Sequence, residues 1–163
     1  MSNISPLAHP FLDACKAKGI MAVTAESCTG GMIAAALTDI AGSSAVLDRG
    51  FVTYSNEAKM EMIGVSADTL AAHGAVSRET ALEMAAGALA NSRAGIALSV
   101  TGIAGPDGGS AEKPVGLVWF GVAVDGRAPS AESRVFENLG RDHIRRESVR
   151  TALELGLEAL SQG

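Results

Sequence analysis

The chain has 163 residues, of which 47% are hydrophobic and 19% are charged, and this composition is typical of a globular domain rather than a disordered segment. A formal net charge of −5 argues against a general binder of nucleic acid or membrane surfaces, because both need a basic face. Two cysteines cannot build a disulfide framework, and 4% aromatic residues are too few for base-stacking platforms.

Residues 1–10 lack the basic start and apolar stretch of a signal peptide, and the apolar runs are shorter than the roughly 18–20 residues of a membrane span. We therefore expect a cytoplasmic location. The three histidines lack metal-ligand spacing, so we expect no metal and no cofactor. No linker or repeat interrupts the chain, which predicts a single domain over residues 1–163 whose first nine residues are flexible.

Helices and strands alternate through the first half of the chain. Apolar spacing and glycine stops predict a helix, a strand, a helix and a strand, over residues 10–18, 19–24, 30–40 and 50–54. Residues 43–49 are ambiguous, with a helical turn as one interpretation. Ser55 or Asn56 begins a further helix, which is expected to bury Met60, Met62 and Ile63.

The second half combines buried strands with a hairpin. Two helices are predicted over residues 67–72 and 77–92, the second capped by Ser77. Two long strands, an antiparallel partner strand and a closing helix follow, over residues 96–101, 115–124, 130–136 and 141–160. These elements predict an α/β fold in which a mixed sheet is sandwiched between helices in three layers.

The stretch at residues 25–31 combines a hydroxyl, a thiol and two glycines between a strand and a helix. Ser27 needs a base if it is to act as a nucleophile. Because the ends of parallel strands gather at one edge of a sheet, Ser27, Tyr54 and Lys59 are expected to meet there. Burial would lower the pKa of Lys59 and make it a base, with Tyr54 relaying or steadying the proton.

Two other interpretations of these residues stay open from spacing alone. Ser27 can be a helix N-cap with Lys59 a solvated helix lysine. Cys28 can be a rival nucleophile, because the helix N-terminus would favour its thiolate form, or it can simply be a small buried hydrophobic residue.

The loop at residues 101–110 is rich in glycine and follows a buried strand, so its backbone N–H groups can converge on an anion. It matches no phosphate-loop or dinucleotide fingerprint. Arg141 opens the last helix, where the guanidinium and the helix dipole would act together on a phosphate. Arg145, Arg146 and Arg150 are expected to form a solvated face.

Four motifs occur in order: AESCTGG from Ala25, GFVTYSNEAK from Gly50, HGAVS from His73 and TGIAGPDGG from Thr101. Together with KPVG from Lys113 and VWF from Val118, they resemble the CinA C-terminal family over about residues 10–160. Stand-alone members of that family include nicotinamide mononucleotide deamidases.

The resemblance implies a serine amidase without metal or cofactor that converts nicotinamide mononucleotide to nicotinate mononucleotide and ammonia, in pyridine nucleotide recycling. It places the catalytic serine, tyrosine and lysine at Ser27, Tyr54 and Lys59. N–H groups near residues 29–31 would steady the oxyanion. The expected substrate-binding residues are Glu26, Thr29, Gly30, Gly31, Ser55, Asn56, Thr101, Gly102, Ile103, Ala104, Gly105 and Arg141.

Two rival functions remain: a non-catalytic nucleotide-binding or regulatory domain of the same family, and a hydrolase that uses Cys28. The partner expected is a small nucleotide, with no nucleic acid and no membrane. Small-residue helices and an exposed sheet edge also favour a homo-oligomer, with a dimer as the first expectation.

Overall fold

A five-stranded mixed sheet forms the centre of the computed structural model, which describes residues 5–162. The strands are β1 (Ala22–Glu26), β2 (Leu47–Val52), β3 (Ile96–Gly102), β4 (Leu117–Val124) and β5 (Ser130–Val135). They lie in the order β2-β1-β3-β4-β5. The first three strands are parallel, and β4 and β5 add an antiparallel hairpin.

Six helices cover the two faces of this sheet in the described part of the chain. They are α1 (Ala8–Lys18), α2 (Met32–Thr38), α3 (Asn56–Ile63), α4 (Ala67–His73), α5 (Arg78–Ala90) and α6 (Arg141–Ser161). Helices α1, α2 and α6 pack together on one face, and α5 lies on the other with α3 and α4 beside it. The expected three-layer α/β fold is thereby confirmed.

Each face of the sheet has its own apolar core. On the α1/α6 side, Phe11, Leu98 and Leu153 are buried together. On the α5 side, the core is made of smaller residues such as Ala85, Ala88 and Ala97. Since β3 lies in the middle of the sheet and faces both cores, its run of apolar residues is buried throughout, as the sequence predicts.

Several helices and strands begin at residues other than those predicted. The first strand begins at Ala22 rather than residue 19, and β2 begins at Leu47 rather than residue 50. Helix α2 begins at Met32 instead of residue 30, because Gly30 and Gly31 have φ angles of 56° and 106°, outside the helical region. The ambiguous stretch contains a 3₁₀ turn at Ser43–Ala45 that leads into β2.

The prediction for helix α3 is wrong in one respect. Met62 is 42% exposed and Met60 is half-buried, whereas Lys59 and Ile63 are each only 1% exposed. The helix therefore buries Lys59 together with Ile63 in the protein interior, and Met62 faces outward. Its N-cap is Ser55, whose side chain accepts from the Ala58 N–H, so that expectation is confirmed.

The expectation of a flexible N-terminus lies partly outside the described residues, which begin at Ser5. Within them Ser5 and Ala8 are buried, and α1 starts at Ala8, two residues before the predicted start at residue 10. None of the helices in residues 5–162 combines the length and the apolar character that crossing a bilayer requires.

Candidate active site

A cavity of about 310 Å³ opens where the parallel strands end. Ser27 follows β1 directly, and the Ser27 N–H donates to the Val100 carbonyl of β3 at 2.9 Å, so the residue after the strand is still held by the sheet. Thr53 likewise extends β2, its N–H donating to the Glu26 carbonyl at 2.8 Å. These bonds fix the starting points of both strand-to-helix turns beside the cavity.

Lys59 reaches across from α3 to the Ser27 hydroxyl. Its Nζ lies 3.0 Å from Ser27 Oγ and donates to the Thr53 carbonyl at 2.7 Å. The lysine is 1% exposed. Burial lowers the pKa of Lys59 below its ordinary value of 10.5, and the nearby Cys28 thiolate would counter this only in part. A serine hydroxyl and an amine of reduced basicity are thus held at hydrogen-bond distance.

Cys28 sits next to Ser27 but is poorly suited to nucleophilic attack. Its side chain is buried, and burial raises the pKa of the thiol to about 11 despite the opposing effects of its backbone hydrogen bond and the Arg145 charge. A thiol attacks as the thiolate, and at neutral pH that form is scarce here.

Tyr54 and Arg141 stand together at the mouth of the cavity. Tyr54 is 61% exposed, and its hydroxyl accepts from Arg141 Nη2 at 3.0 Å. Arg141 Nη1 donates to the Gly105 carbonyl at 2.7 Å. The Tyr54 hydroxyl therefore has the arginine as its hydrogen-bond partner, which is a different partner from the Lys59–Ser27 pair expected for a proton relay.

The loop after β3 continues the sheet before it enters the cavity wall. Gly102 pairs with Val118, and the Ile103 N–H donates to the Leu117 carbonyl at 2.9 Å. A Cβ at Gly102 would come within 2.6 Å of the Val118 side chain, so the neighbouring strand accounts for this glycine. The Ile103 N–H is engaged in the fold, which reduces the number of loop donors that can face an anion.

Glu26, expected to contact substrate, is instead turned toward helix α2. It is 1% exposed, and its carboxylate accepts from the Thr29 hydroxyl at 2.6 Å and from the N–H groups of Ile33 and Ala34 at 2.9 and 3.0 Å. These contacts satisfy the free N–H groups of the helix start. Glu26 and Thr29 thus shape the turn beside Ser27 from within the protein.

Ten of the predicted site residues line the cavity, whereas Glu26, Thr29, Gly30, Gly31 and Ser55 lie outside its lining. The ten are Ser27, Tyr54, Asn56, Lys59, Thr101, Gly102, Ile103, Ala104, Gly105 and Arg141. The predicted set of site residues omitted five lining residues, although three of the motifs contain them: Cys28, Ala75, Val76, Asp107 and Gly108. The Thr101 hydroxyl donates to the Ala75 carbonyl at 2.8 Å, which joins two of these motifs.

No group of three or more His, Cys, Asp or Glu side chains between Ser5 and Gln162 is arranged to hold a metal ion. The arrangement of Ser27 and Lys59 suits attack on a carbonyl carbon by an alcohol whose proton passes to an amine.

Comparisons with known proteins cover the whole of this site. The family model of the CinA C-terminal domain matches residues 4–160. Nicotinamide-nucleotide amidohydrolase PncC of Escherichia coli is 54% identical over 153 residues, which cover 94% of this chain and 92% of that protein. The CinA-like protein of Chloroherpeton thalassium is 57% identical over 125 residues, 77% of this chain and 30% of that protein.

Solved structures of CinA-superfamily proteins share this fold. The crystal structure of the competence/damage inducible protein CihA from Agrobacterium tumefaciens superposes with a TM-score of 0.94 at 55% identity and covers 99% of this chain and 98% of that one. The fold therefore belongs to a known architecture.

Proposed function

Because the chain belongs to the CinA C-terminal domain family, we propose that it hydrolyses the carboxamide of nicotinamide mononucleotide to nicotinate mononucleotide and ammonia. The observation that carries the proposal is the 3.0 Å separation between the buried Lys59 amine and the Ser27 hydroxyl. Near full-length relatives named nicotinamide-nucleotide amidohydrolase support the choice of substrate. This reaction would return a pyridine nucleotide to the pool from which such nucleotides are rebuilt.

The first chemical step forms a bond between Ser27 Oγ and the carboxamide carbon. Neutral Lys59 accepts the hydroxyl proton as the bond forms, and the lowered pKa keeps part of the lysine population neutral. The fixed positive charge of the pyridinium ring draws electrons from the carbonyl and makes attack easier. The carbonyl oxygen becomes an oxyanion, which needs hydrogen-bond donors.

Candidate donors are the N–H groups that follow Ser27 in the turn. The Gly30 N–H already donates to the Ser27 carbonyl at 3.0 Å, which removes it from that set and leaves Thr29 and Gly31 among the expected donors. Loss of one such donor typically costs about 2.7–4 kcal/mol in the barrier.

The second half of the reaction reverses the proton path. The carbon–nitrogen bond breaks, protonated Lys59 returns its proton to the leaving amine, and ammonia departs. Water then attacks the acyl-enzyme with Lys59 as base, which regenerates Ser27 and releases the carboxylate. Arg141 at the cavity mouth is our choice for the substrate phosphate, where it contributes position rather than chemistry.

Ammonia release from nicotinamide mononucleotide by purified protein tests the proposal. Ser27→Ala should lower kcat by at least about 10³-fold. Lys59→Met fills the same buried space without an amine, so it should lower kcat to a similar extent while the protein stays folded. Absence of ammonia release from the wild-type protein would refute the enzymatic function and favour a nucleotide-binding role.

Cys28→Ala separates the serine from the rival thiol. We expect this variant to keep kcat within a few-fold of wild type, because the thiol is buried and its pKa is raised to about 11. Activity lost in Cys28→Ala but retained in Ser27→Ala would show that the nucleophile has been assigned to the wrong residue.

A further inference from the structure

Arg145 of helix α6 contacts the backbone of the turn that carries Ser27. Its Nε donates to the Cys28 carbonyl at 3.0 Å and its Nη2 donates to the Thr29 carbonyl at 3.2 Å. The side chain is half-buried, and Arg145 is outside the set of residues that line the cavity. Arg146 and Arg150 on the same helix are exposed and pair with acidic side chains of α6. Arg145 therefore differs from the solvated face expected of all three.

These two bonds fix the orientation of two successive peptide groups. In a trans peptide, the carbonyl of one residue and the N–H of the next share one plane and point in opposite directions. Holding the Cys28 carbonyl thus sets the direction of the Thr29 N–H. Holding the Thr29 carbonyl sets that of the Gly30 N–H, which donates to the Ser27 carbonyl at 3.0 Å.

The turn is held from a second side by an acidic group. Thr29 is fully buried, and its hydroxyl donates to the Glu26 carboxylate at 2.6 Å. The Thr29 carbonyl also accepts from the Met32 N–H at 3.0 Å, at the start of α2. The Arg145 guanidinium thus holds the Cys28 and Thr29 carbonyls, and the Glu26 carboxylate holds the Thr29 hydroxyl. Together they fix the peptide groups on both sides of Thr29 in one orientation. The guanidinium suits this role because its donors form a rigid planar fork.

We propose that Arg145 is a positioning residue of the amidase: through the Cys28 and Thr29 carbonyls it fixes the turn that follows Ser27 and so holds the Ser27 hydroxyl within reach of Lys59. This inference rests on the proposed function, because it assigns Arg145 a task in the same reaction.

Four proteins test the proposal: wild type, Arg145→Ala, Arg145→Lys and the control Arg150→Ala. For Arg145→Ala we expect kcat for ammonia release to fall about 10- to 100-fold while KM stays within about threefold, because the turn positions the nucleophile and Arg145 lies outside the cavity lining. Arg145→Lys keeps the charge but lacks the two-pronged fork, so it should recover only part of that loss. Arg150→Ala should behave as wild type.

A second measurement does not depend on the nucleotide. A small fluorophosphonate forms a bond from Ser27 Oγ to phosphorus with loss of fluoride, and intact-protein mass follows its rate. This reaction also depends on the position of Ser27 Oγ, so Arg145→Ala should slow labelling about tenfold or more. A thermal unfolding curve of each variant verifies that the compared proteins are folded at the assay temperature.

The outcomes separate the two proposals. If wild type releases no ammonia but labels at Ser27 in an Arg145-dependent manner, the proposed substrate is wrong and the positioning role stands. Unchanged kcat and labelling rates in Arg145→Ala would overturn the positioning role alone, as would a loss confined to KM. A wild-type protein that neither turns over nor labels counts against both.

Discussion

Lys59 is a buried amine with only oxygen atoms as hydrogen-bond partners, Ser27 Oγ and the Thr53 carbonyl. Because burial disfavours the charged form, the pKa of Lys59 falls below 10.5 in the folded protein. Protonation of Lys59 therefore destabilises the folded state. This penalty is complete below the folded-state pKa and fades as pH rises toward 10.5, the value expected in the unfolded chain.

The same shift predicts the pH dependence of the reaction. We expect kcat/KM for ammonia release to rise with pH along a limb whose midpoint lies below 10.5, because the proposed base is the neutral form of Lys59. A pH–rate profile of the wild-type enzyme measures the limb. A midpoint at or above the ordinary lysine value would contradict the assignment of Lys59 as base.

Tyr54→Phe tests whether the tyrosine hydroxyl takes part in chemistry or in binding. Since that hydroxyl accepts from Arg141 at 3.0 Å, we predict that its loss raises KM a few-fold, in keeping with about 0.5–1.5 kcal/mol for one hydrogen bond. The value of kcat should stay within about threefold. Steady-state kinetics distinguish the cases, because a hundredfold fall in kcat at constant KM would restore the proton-relay role.

Sequence reasoning brought Ser27 and Lys59 to one edge because parallel strands place their ends together. The choice of serine over thiol came from the family resemblance, and spacing could not have made it. Arg145 was missed since arginines at neighbouring helix positions look alike in a sequence. Only the three-dimensional packing of α6 against the Ser27 turn distinguishes its side chain from those of Arg146 and Arg150.

At the scale of single elements, helix α2 depends on a carboxylate from the preceding strand. We predict that Glu26→Gln lowers the free energy of unfolding by about 1.5–3 kcal/mol, because an amide cannot accept the same set of bonds from Thr29, Ile33 and Ala34. Urea unfolding measures the loss. The control Glu61→Gln, on the exposed side of α3, should change stability by less than about 0.5 kcal/mol.

Helix α3 is held in place by its contact with α5. A Cβ at Gly87 would clash with the backbone carbonyl of Ile63 at the end of α3, one turn after Lys59. Gly87→Ala should therefore separate the two helices, lower stability by about 1–3 kcal/mol and reduce kcat by displacing Lys59.

Thermal unfolding and ammonia release measure both effects of Gly87→Ala, with the exposed Ala86→Ser on the same helix as control. If Gly87→Ala matched this control in both assays, the α3–α5 contact would have no part in placing the lysine.

The positions of these elements were predicted with unequal success. The bounds of strand β3 were predicted to within one residue, because a short continuous apolar run is typical of a buried strand. The start of α2 was misplaced since glycine is compatible with both helix and left-handed turn, and only the folded backbone shows which is used. Met62 was assigned to the core because hydrophobicity favoured it, whereas the folded helix buries Lys59 instead.

At the scale of the whole molecule, the candidate site draws on both helical layers. Ser27 follows β1 and precedes α2 on one face, Lys59 comes from α3 on the other, and Arg141 opens α6. The alternation of elements predicted the sheet and its two covering layers. It could not assign each helix to a face, because an amphipathic helix fits either face until the connections and the packing of neighbours are known.

The burial of both thiols bears on how the protein withstands oxidants. The pKa of Cys15 is raised to about 12 and that of Cys28 to about 11, in both cases mainly by burial. Peroxide reacts with thiolates, and at neutral pH thiols whose pKa values are this high are almost entirely protonated. We therefore expect ammonia release to survive millimolar peroxide without a protective reductant, and rapid inactivation would contradict this. With Ser27 as the proposed nucleophile and the Cys28 thiol protonated beside it, the amidase would keep working under oxidative stress.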